Sequence, residues 1–188
     1  MRALEKVLLA IGVFCLVLWA VLTVQTRMHQ AELERIFERE LYNPLPAPAV
    51  TNVPGRTLSE GDLVGRLEIP RLDLSVMVME GVRSRTLRLG AGRIPGTALP
   101  WTRGNVGIAA HRDTFFRDLR EVQKDDRIRL TTLDGPIDYR VAWTSVVHPD
   151  DTGALKPASE DMLTLVTCYP FYYVGPAPER FVVRAIRD

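Results

Sequence analysis

The chain has 188 residues, which suffices for one domain of ordinary size with appendages and leaves no room for two full domains. Its 24 basic and 23 acidic side chains nearly balance, so a nucleic-acid-binding surface and a polybasic tail are not expected. Its two cysteines, Cys15 and Cys168, are not expected to form a disulfide within one chain, because Cys15 lies in an apolar segment that we predict to be membrane-embedded.

The first predicted element is a membrane-spanning helix. No charged residue occurs from Val7 to Gln25, and this run is long enough to cross a hydrocarbon core of about 30 Å. A cleavable signal peptide is the alternative, because Arg2 and Lys6 form a short basic start. The apolar run exceeds the usual length for such a signal, and no small-residue cleavage site follows it. We therefore expect residues 1–27 to be an uncleaved anchor, with the N-terminus in the cytoplasm and the rest on the outer face.

Residues 28–60 are predicted to join this anchor to the folded domain. Apolar residues recur at helical spacing over Met28–Tyr42, which indicates a short amphipathic helix that is either a solvated stalk or docks on the domain. The stretch from Asn43 to Gly55 is rich in proline and favours a stiff spacer. We place the start of the domain at residue 61.

From Gly61 onward, short apolar runs separated by turn residues predict a mainly β domain, residues 61–188. Seven candidate strands are Leu63–Ile69, Leu74–Met79, Val106–Ala110, Arg127–Thr132, Ile137–His148, Met162–Cys168 and Arg180–Ile186. Short helices are expected at Ser84–Leu89 and Phe115–Leu119, and the longest connection runs from Thr86 to Asn105. Seven strands with an uncertain eighth predict a closed or nearly closed barrel.

Three residues with the chemistry of a cysteine enzyme fall at predicted strand ends. Cys168 ends an aliphatic run that Pro170 should terminate, His111 ends another run, and Arg180 opens the last strand. Strand ends of a barrel converge on a rim, where a thiol, an acid–base group and an oxyanion donor could act together. Each residue alone has a plainer interpretation, as a buried thiol, a structural histidine or a solvated charge.

The remaining histidine of the domain is a weaker candidate. His148 precedes Pro149 and two aspartates in what we expect to be an exposed loop. A metal site formed by His111, His148 and Cys168 would lack any close pair of ligands in the sequence. We therefore keep His148 as a surface residue.

One combination of motifs resembles a known family, the sortases. It consists of Thr164-Leu165-Val166-Thr167-Cys168, of Arg180 at the start of the last strand, and of His111 within Ile108-Ala109-Ala110-His111-Arg112. Sortases are membrane-anchored cysteine transpeptidases with an eight-stranded barrel. The resemblance covers roughly residues 61–188 and the anchor, and the stretches Gly92–Asn105 and Phe115–Leu119 are most similar to the class D group.

The resemblance implies a role for each strand-end residue. Cys168 would be the nucleophile and His111 the acid–base histidine. Arg180 would donate hydrogen bonds to the oxyanion or hold the substrate backbone, whereas Arg184 would be structural. The substrate would be a protein with a C-terminal LPxTG-like sorting signal, cleaved after threonine through a thioester and transferred to an amine on the cell envelope or a pilin. The calcium-binding acids of the family are not evident, and Glu160-Asp161 is interpreted as loop charge, so no metal and no cofactor are expected.

Several alternatives stay open at this point. L,D-transpeptidases carry a histidine two residues before the cysteine, where this chain has Val166, and papain-like enzymes have the cysteine before the histidine. Another cell-envelope cysteine peptidase is a further candidate. The non-enzymatic alternative is a membrane-tethered β-barrel binding module in which Cys168 is an inert structural residue.

Overall fold

The structure is a computed structural model that describes residues 2–42, 58–173 and 175–188. Its helices are α1 (Arg2–Tyr42) and α2 (Ser84–Leu89). Its strands are β1 (Leu63–Ile69), β2 (Leu74–Glu80), β3 (Ala91–Arg93), β4 (Asn105–Ala109), β5 (Arg127–Thr132), β6 (Gly135–Val147), β7 (Met162–Tyr169) and β8 (Glu179–Arg187). The predicted proline-rich spacer, 43–57, lies outside the described residues.

The eight strands form a closed barrel in the order β1-β2-β3-β4-β7-β8-β6-β5. The pairs β2–β3 and β4–β7 are parallel, and the other neighbours are antiparallel. The prediction of a mainly β, closed barrel is confirmed. The uncertain eighth strand is β3, which is only three residues long and lies inside the stretch interpreted as a loop.

The barrel interior is filled by one side of each strand. In β7, Leu163, Leu165 and Thr167 point inward and are almost completely buried, and in β8 Val183 and Ala185 do the same. Because side chains alternate along a strand, the residues between them face the outside of the barrel. Thr164, Val166 and Cys168 therefore share the outer face of β7.

Helix α1 is continuous, whereas the sequence predicts a separate short helix over Met28–Tyr42. No proline occurs between Arg2 and Tyr42, so the backbone hydrogen bonds of the helix continue through the predicted boundary at residue 27. The first part of the helix is exposed, and the helix is long and apolar enough to cross a membrane. This long apolar N-terminal helix is suggestive of a membrane anchor.

The second part of α1 docks on the outside of the barrel. Phe37 is completely buried, and Met77 and Met79 of β2 are only 2% and 3% exposed. These two methionines alternate with the inward-facing Val76 and Val78, so they face outward, on the side where α1 packs on β2. Of the two alternatives for this segment, the structure shows the docked helix.

Gln30 joins α1 to an incomplete part of the sheet. Its amide oxygen accepts a hydrogen bond from the backbone N–H of Met77, over 3.0 Å, and its amide nitrogen donates to the carbonyl of Leu89. Strand β3 begins to pair with β2 only at Val78, so Gln30 supplies the partner that Met77 lacks on that side. Farther along the helix, Arg66 of β1 forms ion pairs with Glu34 and Glu38.

Candidate active site

Cys168 stands at the end of β7 and is half-buried. The antiparallel register places it directly opposite Arg180 of β8. Residues directly opposite each other in such a pair have Cβ atoms about 4.5–5.5 Å apart and point to the same face of the sheet. The side chains of Cys168 and Arg180 thus leave neighbouring strands on the same, outer face at the barrel rim.

His111 follows the end of β4, the strand on the other side of β7. The parallel register pairs Ala109 with Val166, and the backbone N–H of Ala110 donates to the carbonyl of Val166 over 3.3 Å. Two further steps along both chains, beyond these last paired residues, lead to His111 and Cys168, and His111 is on the outer face because Ala110 is buried in the core. The three predicted residues therefore occupy one row across β4, β7 and β8.

The chain turns sharply after this row. The carbonyl of His111 accepts a hydrogen bond from the backbone N–H of Phe116 over 3.0 Å, and Phe116 is completely buried. This buried aromatic fixes the turn, so the backbone of His111 is held by both the sheet and the core. A helical turn follows at Arg117–Glu121, slightly later than predicted.

Arg180 and Arg112 are both held by backbone carbonyls near the site. Nη1 of Arg180 donates to the carbonyls of Ala177, over 3.3 Å, and Glu179, over 2.9 Å. Nη2 of Arg112 donates to the carbonyl of Tyr173 over 2.7 Å, and its guanidinium lies 5.8 Å from the centre of the Tyr173 ring. Arg112 thus connects the segment after His111 to the loop after Cys168, which sequence reasoning missed.

A set of polar side chains fixes the loop between β6 and β7 over the same outer face. Nδ2 of Asn105 donates to the carbonyls of Ala154, over 2.8 Å, and Lys156, over 3.1 Å. The hydroxyl of Thr164 donates to Oδ1 of Asn105 over 2.6 Å, and Nη2 of Arg184 donates to Ala154 over 2.5 Å. We call Asn105, Thr164 and Arg184 the loop clamp.

The loop clamp is shielded from water. Asn105 and Thr164 are 2% and 0% exposed, so water could not satisfy their polar groups if the hydrogen bonds of the clamp were lost. Burial lowers the pKa of Arg184, whose guanidinium lies 5.5 Å from the centre of the Trp143 ring. Its side chain holds the loop, consistent with a structural assignment. The sequence offered one signal for the loop clamp: all three of its polar residues fall at outward-facing positions of predicted strands or next to one.

Two loops approach each other over Gly107 of β4. A Cβ atom at this position would lie 2.9 Å from side-chain atoms of both Thr97 and Leu155, and 3.3 Å from Ile94. Thr97 and Ile94 belong to the loop between β3 and β4, and Leu155 to the clamped loop. The loops flank the outer face of β4 and β7, which leads from Gly107 towards the row that contains Cys168.

The remaining predicted residues are accounted for separately. His148 follows Val147, which pairs with Arg180, and its side chain is 71% exposed and lies 3.4 Å from the carboxylate of Asp150. The expectation that His148 lies in an exposed loop is therefore confirmed. Asp161 accepts a hydrogen bond from the backbone N–H of Gly104, over 3.1 Å, and pairs with Arg187. Within the described ranges, no group of three or more His, Cys, Asp or Glu side chains is arranged to hold a metal.

Comparisons with known proteins cover the barrel and the candidate site. A family model described as the sortase domain matches residues 67–188. Sortase D of Bacillus subtilis (strain 168) is 36% identical over 124 residues, which are 65% of this chain and 63% of that protein. The chain thus spans less than two thirds of the length of this relative.

Solved structures give the same family. The Sortase D5 transpeptidase of Clostridium perfringens has a TM-score of 0.67 at 25% identity, and the match covers 86% of this chain and 97% of that one. A sortase C of Clostridium perfringens, solved with the C-terminal cell wall sorting motif, has a TM-score of 0.64 at 29% identity and covers 84% and 86% of the two chains.

Proposed function

The chain belongs to the sortase family, and from this premise we propose that it is a membrane-anchored cysteine transpeptidase whose catalytic residues are Cys168, His111 and Arg180. The observation that carries the proposal is the row formed by these residues at the ends of three adjacent strands. Such a row combines a nucleophile, a proton donor and acceptor, and a fixed positive charge.

The first half of the reaction forms a thioester. The sulfur of Cys168 attacks the carbonyl carbon of threonine in a sorting signal, and the negative charge moves to the carbonyl oxygen. Arg180 donates hydrogen bonds to this oxyanion, a role supported by the register that sets Arg180 opposite Cys168. When the carbon–nitrogen bond breaks, His111 gives a proton to the departing amine, and the acyl group remains on sulfur.

The second half transfers the acyl group to a new amine. His111, now neutral, removes a proton from the incoming amine as its nitrogen attacks the thioester carbon. The carbon–sulfur bond breaks, the sulfur of Cys168 leaves, and an amide to the acceptor is formed. Nucleophile and histidine are thereby restored for the next cycle.

The substrate in this proposal is an LPxTG-like peptide in extended form. The outer face of β4 and β7 supports it, because the loops that meet over Gly107 flank a path that ends at Cys168. The acceptor is an amine on the cell envelope or a pilin. Residues 1–27 serve as the anchor with a cytoplasmic N-terminus, 28–60 connect it, and 61–188 form the catalytic domain on the outer face.

The half-exposed position of Cys168 favours a catalytic thiol over the structural cysteine of a binding module. The test is incubation of the full-length protein in detergent with LPxTG and LPxTA peptides and an amine, followed by mass spectrometry of protein and products. We expect an acyl adduct on Cys168 and a transpeptidation product. Cys168→Ala should lose both, whereas Cys15→Ala, which removes the other thiol, should retain both.

Three outcomes would contradict the proposal in different ways. An adduct that persists in Cys168→Ala removes the assigned nucleophile. Hydrolysis of the peptide with no transfer to any amine indicates a different cell-envelope cysteine peptidase. Failure of every sorting-type peptide, together with resistance of Cys168 to alkylation, supports a binding module.

A further inference from the structure

The contacts of α1 define the side of the barrel that faces the membrane. Gln30 contacts Leu89 at the end of α2 and Met77 of β2, whereas Glu34 and Glu38, later in the helix, contact Arg66 of β1. The helix therefore crosses the barrel from α2 towards β1. Its earlier, apolar part must leave the barrel on the α2 side.

The same contact fixes the height of α2 above the bilayer. Gln30 is four residues beyond Thr26, the last residue of the uncharged run, so it lies about 6 Å farther along the helix axis. The headgroup region on one side of a bilayer is about 5–7 Å thick. The hydrogen bond from Gln30 to Leu89 thus holds α2 at, or just above, the level of the lipid headgroups.

This side of the barrel carries a basic face, which we define as Arg27, Arg83, Arg85 and Arg88. All four side chains are exposed, and none forms an ion pair with another residue in the described part of the chain. Glu60 adjoins this face and accepts hydrogen bonds from the backbone N–H of Arg83 and from Thr86.

The opposite charge prevails farther from the proposed membrane. Along α1 beyond Gln30, four acidic residues accompany two basic ones. They are Glu32, Glu34, Arg35, Glu38, Arg39 and Glu40. The docked helix and α2 together therefore form a gradient, basic near the apolar segment and acidic away from it, which an anionic surface would orient.

We propose that the basic face binds phosphate groups of anionic phospholipids in the membrane that holds α1, so that the barrel rests on the bilayer through α2. The proposal rests on the anchoring part of the proposed function and is independent of the reaction. Arginine suits this role because its guanidinium forms paired hydrogen bonds with phosphate oxygens. Each arginine near an anionic surface changes the binding equilibrium by about fivefold, so three together change it on the order of 100-fold.

The test places a nitroxide label at Ser84→Cys on α2, in full-length protein that also carries Cys15→Ser and Cys168→Ser. A matched label at Thr144→Cys lies on β6, across the barrel from β3. Both samples are reconstituted into nanodiscs of phosphatidylcholine, with or without an equal share of phosphatidylglycerol. Collisions are measured with a nickel chelate attached to lipid and with one dissolved in water.

With phosphatidylglycerol, we expect the Ser84 label to collide with the lipid-bound chelate and to be shielded from the soluble one, and the Thr144 label to show the reverse. R83Q/R85Q/R88Q should lower the collisions of the Ser84 label with the lipid-bound chelate and raise those with the soluble one, whereas R117Q/R127Q/R140Q, which removes exposed charge elsewhere, should change neither. High salt should weaken the contact, and soluble glycerophosphate should not. Thermal unfolding checks that both triple variants are folded.

Equal accessibility of the Ser84 and Thr144 labels, or no effect of the Arg83, Arg85 and Arg88 substitutions, would overturn the lipid contact and leave the anchor standing. A chain that fails to float with vesicles would overturn both the contact and the anchor. Neither result bears on the acyl adduct at Cys168, so the catalytic proposal is tested separately.

Discussion

The hydroxyl of Thr167 donates a hydrogen bond to the carbonyl of Ala110 over 2.8 Å, one residue before Cys168 on β7 and one residue before His111. Strand β4 ends at Ala109, so this bond continues the contact between the two chains beyond the last paired residue. Both groups are buried, which makes the bond costly to break.

We therefore predict that Thr167→Val, which keeps the shape of the side chain, releases the segment that carries His111. The unpaired carbonyl should cost about 1–3 kcal/mol of stability. In the proposed reaction, kcat should fall while KM changes little, because misplacement affects proton transfer more than peptide binding. Thr167→Ser, which retains the hydroxyl, should restore kcat; a Ser variant as slow as Val would contradict this role.

Arg180 is predicted to act through its geometry as well as its charge. Arg180→Ala should lower kcat/KM about 10²–10³-fold, the usual effect of removing one oxyanion donor. Arg180→Lys keeps the charge but loses the planar donor group, so it should recover only part of the activity. Steady-state kinetics with a sorting-signal peptide provides the measurement. Arg187→Lys, at the far end of β8, is the control that should leave kcat/KM unchanged, and full recovery in Arg180→Lys would show that charge alone suffices.

His111 is predicted to carry the proton transfers of both half-reactions. The proposed mechanism needs one group that protonates the departing amine and then deprotonates the incoming one. His111→Gln should therefore lower kcat by about 10²–10⁴-fold in steady-state assays with a sorting-signal peptide and an amine. The exposed His148 offers the control, since His148→Gln should leave kcat unchanged.

The loop clamp is predicted to act on substrate binding. Asn105→Asp retains the acceptor for Thr164 but loses the Nδ2 donors to the carbonyls of Ala154 and Lys156. The loop that carries Leu155 should then move away from Gly107, so KM should rise more than kcat falls. An unchanged KM together with a freed loop, detected by hydrogen exchange, would show that the clamp serves stability alone.

Asp126 is predicted to govern the response to acid. Its carboxylate pairs with the guanidinium of Arg71 and accepts from the backbone N–H of Gln123, and the hydrogen bond from Arg71 is the main reason why its pKa is lowered. A lowered pKa stabilises the fold above the unfolded value of about 4 and ceases to do so as the pH falls through the folded value.

Asp126→Asn should therefore lower the melting temperature at pH 7, and this effect should shrink as the pH falls through the lowered folded value, where the wild type also becomes protonated. Thermal unfolding of both proteins in detergent at pH 7 and over a series of acidic pH values gives the comparison. The exposed Asp118→Asn serves as control, and a difference that stays equal down to the most acidic pH would rule out the ion pair as the cause.

Most strands were predictable because the alternation of inward and outward side chains along a strand appears in the sequence as alternating apolar and polar residues. Leu63–Ile69 and Arg127–Thr132 match the structure to the residue, since apolar and polar side chains alternate over most of each strand. Strand β3 was not predictable in this way. Three residues, one of them Gly92, are too few to form an alternating pattern. They are a strand because their backbone pairs with β2 on one side and with β4 on the other.

The candidate site was predictable to the level of its three strand-end residues. Cys168, His111 and Arg180 are separated widely in sequence, and the register that places them in one row depends on the parallel pairing of β4 and β7. The loop clamp was not predicted, because Asn105 and Thr164 resemble ordinary strand residues until the loop folds onto them. The break expected near residue 27 did not occur, since no residue there interrupts a helix.

The shortness of β3 affects how the barrel can be handled in isolation. Below Val78, the edge of β2 is completed by the side chain of Gln30, and the outward Met77 and Met79 lie on the side where α1 packs. A soluble fragment that starts after the helix would leave an unpaired strand edge beside an apolar surface, a combination that promotes self-association. A fragment that stays monomeric should begin before Gln30 and retain Phe37, so that the second part of α1 still covers the edge of β2 and its outward methionines.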